Sequence, residues 1–167
     1  MNSSEHAEQA RMNKMQAALA YGIDDAFISR LVDRFYAAVR QDELLGPIFT
    51  KHIVDLPNHL ARMKDFWASI MLESGRYNGN PMHKHIAIGG LEAAHFTRWH
   101  GLWDQTLSEV APNSQVSDQF RDAATRIGES LLTGIEINRG GLPALSKRDA
   151  GTRERSPRTQ MQTNQGI

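Results

Sequence analysis

The stretch "GNPMHKHIAI", residues 79–88, sets two histidines, His83 and His85, two residues apart behind Pro81. Imidazole is the commonest side-chain metal ligand and also a proton carrier near neutral pH, so the pair raises the question of a ligand site. Other groups of this kind sit at helical spacings from apolar residues. His59 lies four residues before Met63, seven before Phe66 and eleven before Ile70, which places it on one buried stripe. Tyr36 follows Val32 by four and precedes Val39 by three, so its hydroxyl enters the interior or its edge. Trp99, on the stripe of a later helix, brings an indole N–H that a buried site must satisfy. His85 follows Met82 by three and precedes Ile86 by one, giving an inward face of Met82, His85 and Ile86. On a helix His83 stands ~200° from His85, so the two are not expected to face one cavity, and His83 and Lys84 turn towards solvent or the rim. Singly, each polar group reads better as a core side chain bonded to a carbonyl than as part of a ligand site. Together, on four helices, they predict an internal cavity with polar functions. Seven methionines and Phe49, Phe66 and Trp67 would suit a large flat apolar ligand there.

Several chemistries are excluded or weakened. The sequence has no H-E-x-x-H, G-x-S-x-G or P-loop. A zinc site from His52, His59, His83 and His85 lacks the usual three- to five-residue ligand pairing. His95 and His100 flank the stripe of the long helix and read as partly solvated. The absence of cysteine rules out disulfides, thiolate-ligated haem, iron–sulfur clusters and covalent haem attachment.

The elements that must position these groups are helical nearly throughout, with no convincing strand. A polar segment from about Ser4 to Leu19 can form a helix with a weak apolar face. Asp24 caps the next helix, whose stripe runs Ile28, Leu31/Val32, Phe35/Tyr36 and Val39, and Gly46-Pro47 is expected to end that run with a corner. Asp55 and Pro57 start a third helix with the stripe Leu56, Leu60, Met63, Phe66/Trp67 and Ile70/Met71. "ESGRYNGNP" is a loop by composition, and a short helix follows from Pro81. A long helix from about Glu92 to Val110 carries Phe96, Trp99, Trp103 and Leu107. After "APNSQVSD" a last helix shows Phe120, Ala124, Ile127, Leu131 and Ile135. No internal repeat is visible.

Lys+Arg and Asp+Glu balance at 19 each, so net charge points to neither nucleic acid nor membrane. The balance hides a basic end: six basic and two acidic residues from Arg139 onward leave 13 basic and 17 acidic before it. Three regions are expected: a polar segment over 1–21, a helical body over 22–138 and a disordered basic tail over 139–167, rich in Gly, Pro, Ser, Thr and Arg. The tail lacks the interleaved aromatics of a nucleic-acid binder. No apolar run approaches the roughly 18 residues that span a bilayer, and the N-terminus lacks the apolar core of a secretory signal. The expected location is the cytoplasm.

The segments "RFYAAVRQDELLGPIF", "NHLARMKDFWASIML", "GRYNGNPMHKHIAI" and "HFTRWHGLWDQT" occur in this order and spacing. Together they resemble the group III truncated haemoglobins, over roughly Ile23 to Ile137. The resemblance implies an all-α truncated globin fold, a two-over-two helical sandwich enclosing non-covalent haem b. It places the proximal iron ligand at His85, in the family's "G-x-P-x-x-K-H" context, and a distal ligand pocket at Tyr36, His59 and Trp99. Phe49 corresponds to a haem-packing phenylalanine, Phe66 and Trp67 to the aromatic pair beside the haem, and Arg62 to a basic residue near a propionate. "IAIGGLEAAHF" departs from it, with Gly89-Gly90 in place of a proline-containing link, which loosens the end of the proximal segment.

The resemblance further implies O2, NO and CO as small ligands. A polar distal pocket suits oxygen or NO chemistry, such as NO detoxification or peroxidase-like turnover, better than bulk oxygen transport. The sequence carries no flavin or nicotinamide motif, so such turnover would need an external electron-donating reductase. The alternative is a haem-free helical interaction or sensor module on a globin scaffold.

Overall fold

The computed structural model describes residues 2–140. Seven helices follow one another: α1 Ser3–Ala20, α2 Asp25–Gln41, α3 Leu45–His52, α4 Leu56–Leu72, α5 Pro81–Ile88, α6 Ala93–Val110 and α7 Ser114–Gly140. No strand occurs among the described residues. The pair α2 and α4 lies over the pair α6 and α7, with α2 crossing α6 between the layers. The architecture is the two-over-two sandwich expected from the sequence.

Local chemistry sets the starts. The Asp24 carboxylate accepts from Phe27 N–H at 2.7 Å, that of Asp55 from Asn58 N–H at 3.0 Å, and the Asn80 side chain from His83 N–H at 3.0 Å. Each satisfies one of the donors a helix leaves unpaired at its beginning. Pro57 and Pro81 sit in first turns, where no N–H is missed.

Two boundaries differ from expectation. Gly46-Pro47 does not make a corner. It lies inside the first turn of α3, where proline is tolerated, and the chain turns at Asp42–Leu44 instead. The last helix begins within "APNSQVSD", because Asn113 accepts from Val116 N–H at 2.9 Å and caps α7 early. That helix continues to Gly140, two residues into the region expected as tail, and residues 141–167, over which the basic tail was expected, lie outside the described residues.

The core is built on aromatic contacts. Trp103, Phe27, Phe35 and Phe120 are fully buried, and the Trp103 indole stacks on Trp67 with centroids 4.6 Å apart. Trp99 also stacks with Trp103, at 5.6 Å, so α4 and α6 join through three indoles. Each such side chain stabilises the fold by about 1.5–3 kcal/mol of burial. The helix α1 adds little, burying only Ala18, and is tied to the end of α4 by Lys14 and Arg11 on Glu73. No helix among the described residues is long and apolar enough to cross a membrane.

Candidate functional site

Between the layers lies a cavity of about 600 Å³, within the range of about 300–1,000 Å³ typical of small-molecule sites. Tyr36, Phe49, His59, Arg62, Phe66, Trp67, His85 and Trp99, the eight positions singled out from the sequence, all line it. They arrive on five helices: α2 brings Tyr36, α3 Phe49, α4 His59 to Trp67, α5 His85 and α6 Trp99.

Three of them form one cluster. The His59 ring stands edge-on to Tyr36 at 5.1 Å and to Phe49 at 5.3 Å, and Tyr36 and Phe49 are 5.3 Å apart. Phe35 wedges between Tyr36 at 5.0 Å and Trp99 at 5.4 Å, which spaces the phenol from the indole. Burial, reinforced by Tyr77, pushes the Tyr36 phenol up, so it keeps its proton and can donate. Burial, together with Lys84, Arg62 and His85, pushes His59 down to about 4. At neutral pH its ring is therefore uncharged. Its Nε2 is buried and meets no hydrogen-bond partner among the described residues.

His85 stands on a separate wall, on the short helix α5, which packs on α7. Its Nδ1 donates to the Pro81 carbonyl at 2.7 Å. A carbonyl only accepts, so Nδ1 carries the proton and Nε2 holds the free lone pair.

The short helix is seated differently from its expected face. Met82 does not share the cavity side with His85; it drops onto α7 at Gly134, where a Cβ would lie 2.3 Å from its sulfur. His83, expected to turn towards solvent or the rim, is exposed and borders the same cavity as His85. The cavity is wide and opens at this helix, so residues on two of its sides border it. Lys84 borders it as well.

Other lining residues escaped the sequence reading. Tyr77 borders the cavity from the loop after α4, edge-on to Phe66 at 5.2 Å and beneath the Arg62 guanidinium at 5.9 Å. Loop composition gives no period from which its direction could have been read. His95, expected to be partly solvated, lines the cavity too; its Nδ1 accepts from Glu92 N–H at 3.0 Å. His100 is half-buried and lies outside the lining, against Gly128 of α7. Burial pushes it down, against the opposing pull of Asp104 and Glu129. Among the described residues no group of three or more His, Asp or Glu could hold a bare metal ion, so a zinc cluster has no geometric support.

No protein-family model matches the chain. Over 92 residues, covering 53% of this chain and 72% of the relative, it is 35% identical to the group 3 truncated hemoglobin ctb of Campylobacter jejuni. The chain belongs to the group III truncated haemoglobins. A crystal structure of the group III truncated hemoglobin from Campylobacter jejuni matches this truncated haemoglobin with a TM-score of 0.65 at 30% identity, over 72% of this chain and 96% of that one. The cavity just described is therefore the interior of a truncated globin sandwich.

Proposed function

We propose that this truncated haemoglobin holds a non-covalent haem b in the cavity and binds diatomic ligands, O2 foremost with NO and CO, at its iron. The observation that carries the reading is the His85–Pro81 hydrogen bond, because it leaves Nε2 free to ligate on a wall of an apolar cavity. The residues fit the group. Phe49, Phe66 and Trp67 offer apolar faces, Arg62 and Lys84 offer cations for carboxylates, and the unpaired Nε2 of His59 lies buried nearby. With no cysteine in the chain, attachment through thioethers is not available. A bound haem, held by His85, would supply an iron centre able to take a small diatomic ligand.

The chain's own part is positioning and hydrogen bonding. Tyr36 keeps a phenolic proton, Trp99 carries an indole N–H, and His59 is a neutral imidazole able to donate from one nitrogen. Such donors favour a ligand that gains negative charge over one that does not. Several donors converging on one ligand slow its departure. Slow departure supports oxygen and NO chemistry, with electrons from an external reductase, rather than bulk transport.

Absorption spectra of the oxidised, reduced and CO-bound protein test the proposal. A Soret band responding to each state is expected; a chain that takes up no haem overturns it and leaves a haem-free helical module.

A further inference from the structure

We propose that Asp42 and Arg98 act as a positioning pair that sets the distance between Trp99 and the Tyr36–Phe49 side of the ligand pocket. The inference rests on the proposed haem site for its functional meaning.

Asp42 is a buried carboxylate at the corner between α2 and α3, its side chain 1% exposed. One oxygen, Oδ1, accepts from the backbone N–H of Leu44 at 3.0 Å and of Leu45 at 2.9 Å. The other, Oδ2, accepts from Arg98 Nε at 2.6 Å, and Arg98 Nη2 approaches the same oxygen. The corner itself is closely built: a Cβ on Gly46 would meet the Arg40 carbonyl at 2.8 Å. Asp42 thus closes α2 with its backbone N–H on the Val39 carbonyl, while its side chain starts α3 and reaches across to α6. Burial opposes its charge, but the Arg98 bond and the two backbone donors outweigh burial and hold the carboxyl below its ordinary range.

Neither Asp42 nor Arg98 lines the cavity, yet every element they join does. Tyr36 and Val39 precede Asp42 on α2, Leu45, Ile48 and Phe49 follow it on α3, and Trp99 is the next residue after Arg98 on α6. A buried carboxylate left without its partner is strongly unfavourable, so the corner and α6 cannot drift apart freely. An ordinary surface ion pair would impose no such constraint. Arg98 supplies the arm from a side chain 56% exposed, so replacing it opens no void in the core.

The test uses Asp42→Asn, which keeps an oxygen for the Leu44 and Leu45 donors, with Arg98→Gln and Arg98→Lys. In the haem-loaded protein, the CO stretching frequency and the O2 release rate report the pocket, while thermal melting reports the fold. Asp42→Asn and Arg98→Gln are expected to shift the CO stretch and quicken O2 release roughly three- to tenfold, as for one weakened hydrogen bond. Arg98→Lys is expected to restore most of the parent behaviour. Lowered melting temperatures with an unmoved CO stretch and release rate would overturn the inference and leave the pair merely structural. A parent protein without haem would sink the proposed function instead. The indole N–H resonance of Trp99 in the haem-free chain then decides the positioning role: displaced by Asp42→Asn if the pair sets it, unmoved if it does not.

Discussion

The Nδ1 of His85 donates to the carbonyl of Pro81, one turn back on the same short helix, at 2.7 Å. The residue that starts α5 thus also fixes which nitrogen of His85 is free. No second element has to supply the partner, so the orientation of the ring is a local property of eight residues. Gly89 and Gly90, at φ +70° and +68°, end the helix in a conformation that a side chain would strain.

Replacing His85 by Ala is expected to abolish the haem spectrum or leave haem weakly held with an altered spin state. Added imidazole should restore the Soret band by filling the space. An unchanged spectrum in His85→Ala would place the ligand elsewhere.

Tyr36→Phe removes one donor and little volume, while Trp99→Phe removes one donor together with part of the ring system that stacks on Trp103. Each is expected to quicken O2 release roughly three- to tenfold, the factor for one net hydrogen bond, and to change CO release less. Stopped-flow displacement measures both. Equal rates in parent and variants would mean that neither group faces the ligand.

Gly128 lies in α7 beneath His100, where a Cβ would sit 2.5 Å from the ring Nε2. Alanine is favoured over glycine in a helix by about 1 kcal/mol, but the ring cannot bend aside as a flexible chain could. Gly128→Ala alone is expected to destabilise by about 1–2 kcal/mol through overpacking. In a His100→Ala background the same change should stabilise by up to about 1 kcal/mol. Urea unfolding of the four proteins checks the reversal of sign.

Asp42 is held below its ordinary value of 3.8 in the folded chain, so the unfolded chain binds the proton more readily. Its contribution to stability is complete above the unfolded value and is lost as pH falls through the lower folded value. The difference in stability between the parent and Asp42→Asn should therefore be constant from about pH 5 upward and shrink below about pH 4. Urea midpoints across that range measure it; a difference that grows on acidification would contradict the pairing.

The helices were legible where the signal is local. Asp24 and Asp55 start α2 and α4 because a cap needs only a side chain and a donor three residues on, and Pro81 starts α5 because a first-turn proline leaves no N–H unpaired. Helical period likewise put His59 and Tyr36 on faces turned towards the interior. Gly46-Pro47 misled because both residues serve equally in a turn and in the first turn of a helix. The choice was made by Asp42, whose carboxylate binds Arg98 from 56 residues away. The face of α5 misled because eight residues carrying no fully buried side chain give a weak period, and the Gly134 notch that receives Met82 is invisible from the helix itself.

The sequence by itself determined the helical class and the caps at Asp24 and Asp55, and together with the truncated globin resemblance it marked eight of the positions that line the cavity. Class and caps depend on side-chain type and on spacing along one chain segment. Only the tertiary structure decided that His83 and His95 border the same cavity, that Tyr77 joins it from a loop, and that Asp42 pairs with Arg98. These are contacts between segments far apart in the chain. Their geometry is set by how closely helices approach, and that follows from notches at Gly134 and Gly128 and from the stacked indoles of Trp67, Trp103 and Trp99. No period within a single helix encodes such distances.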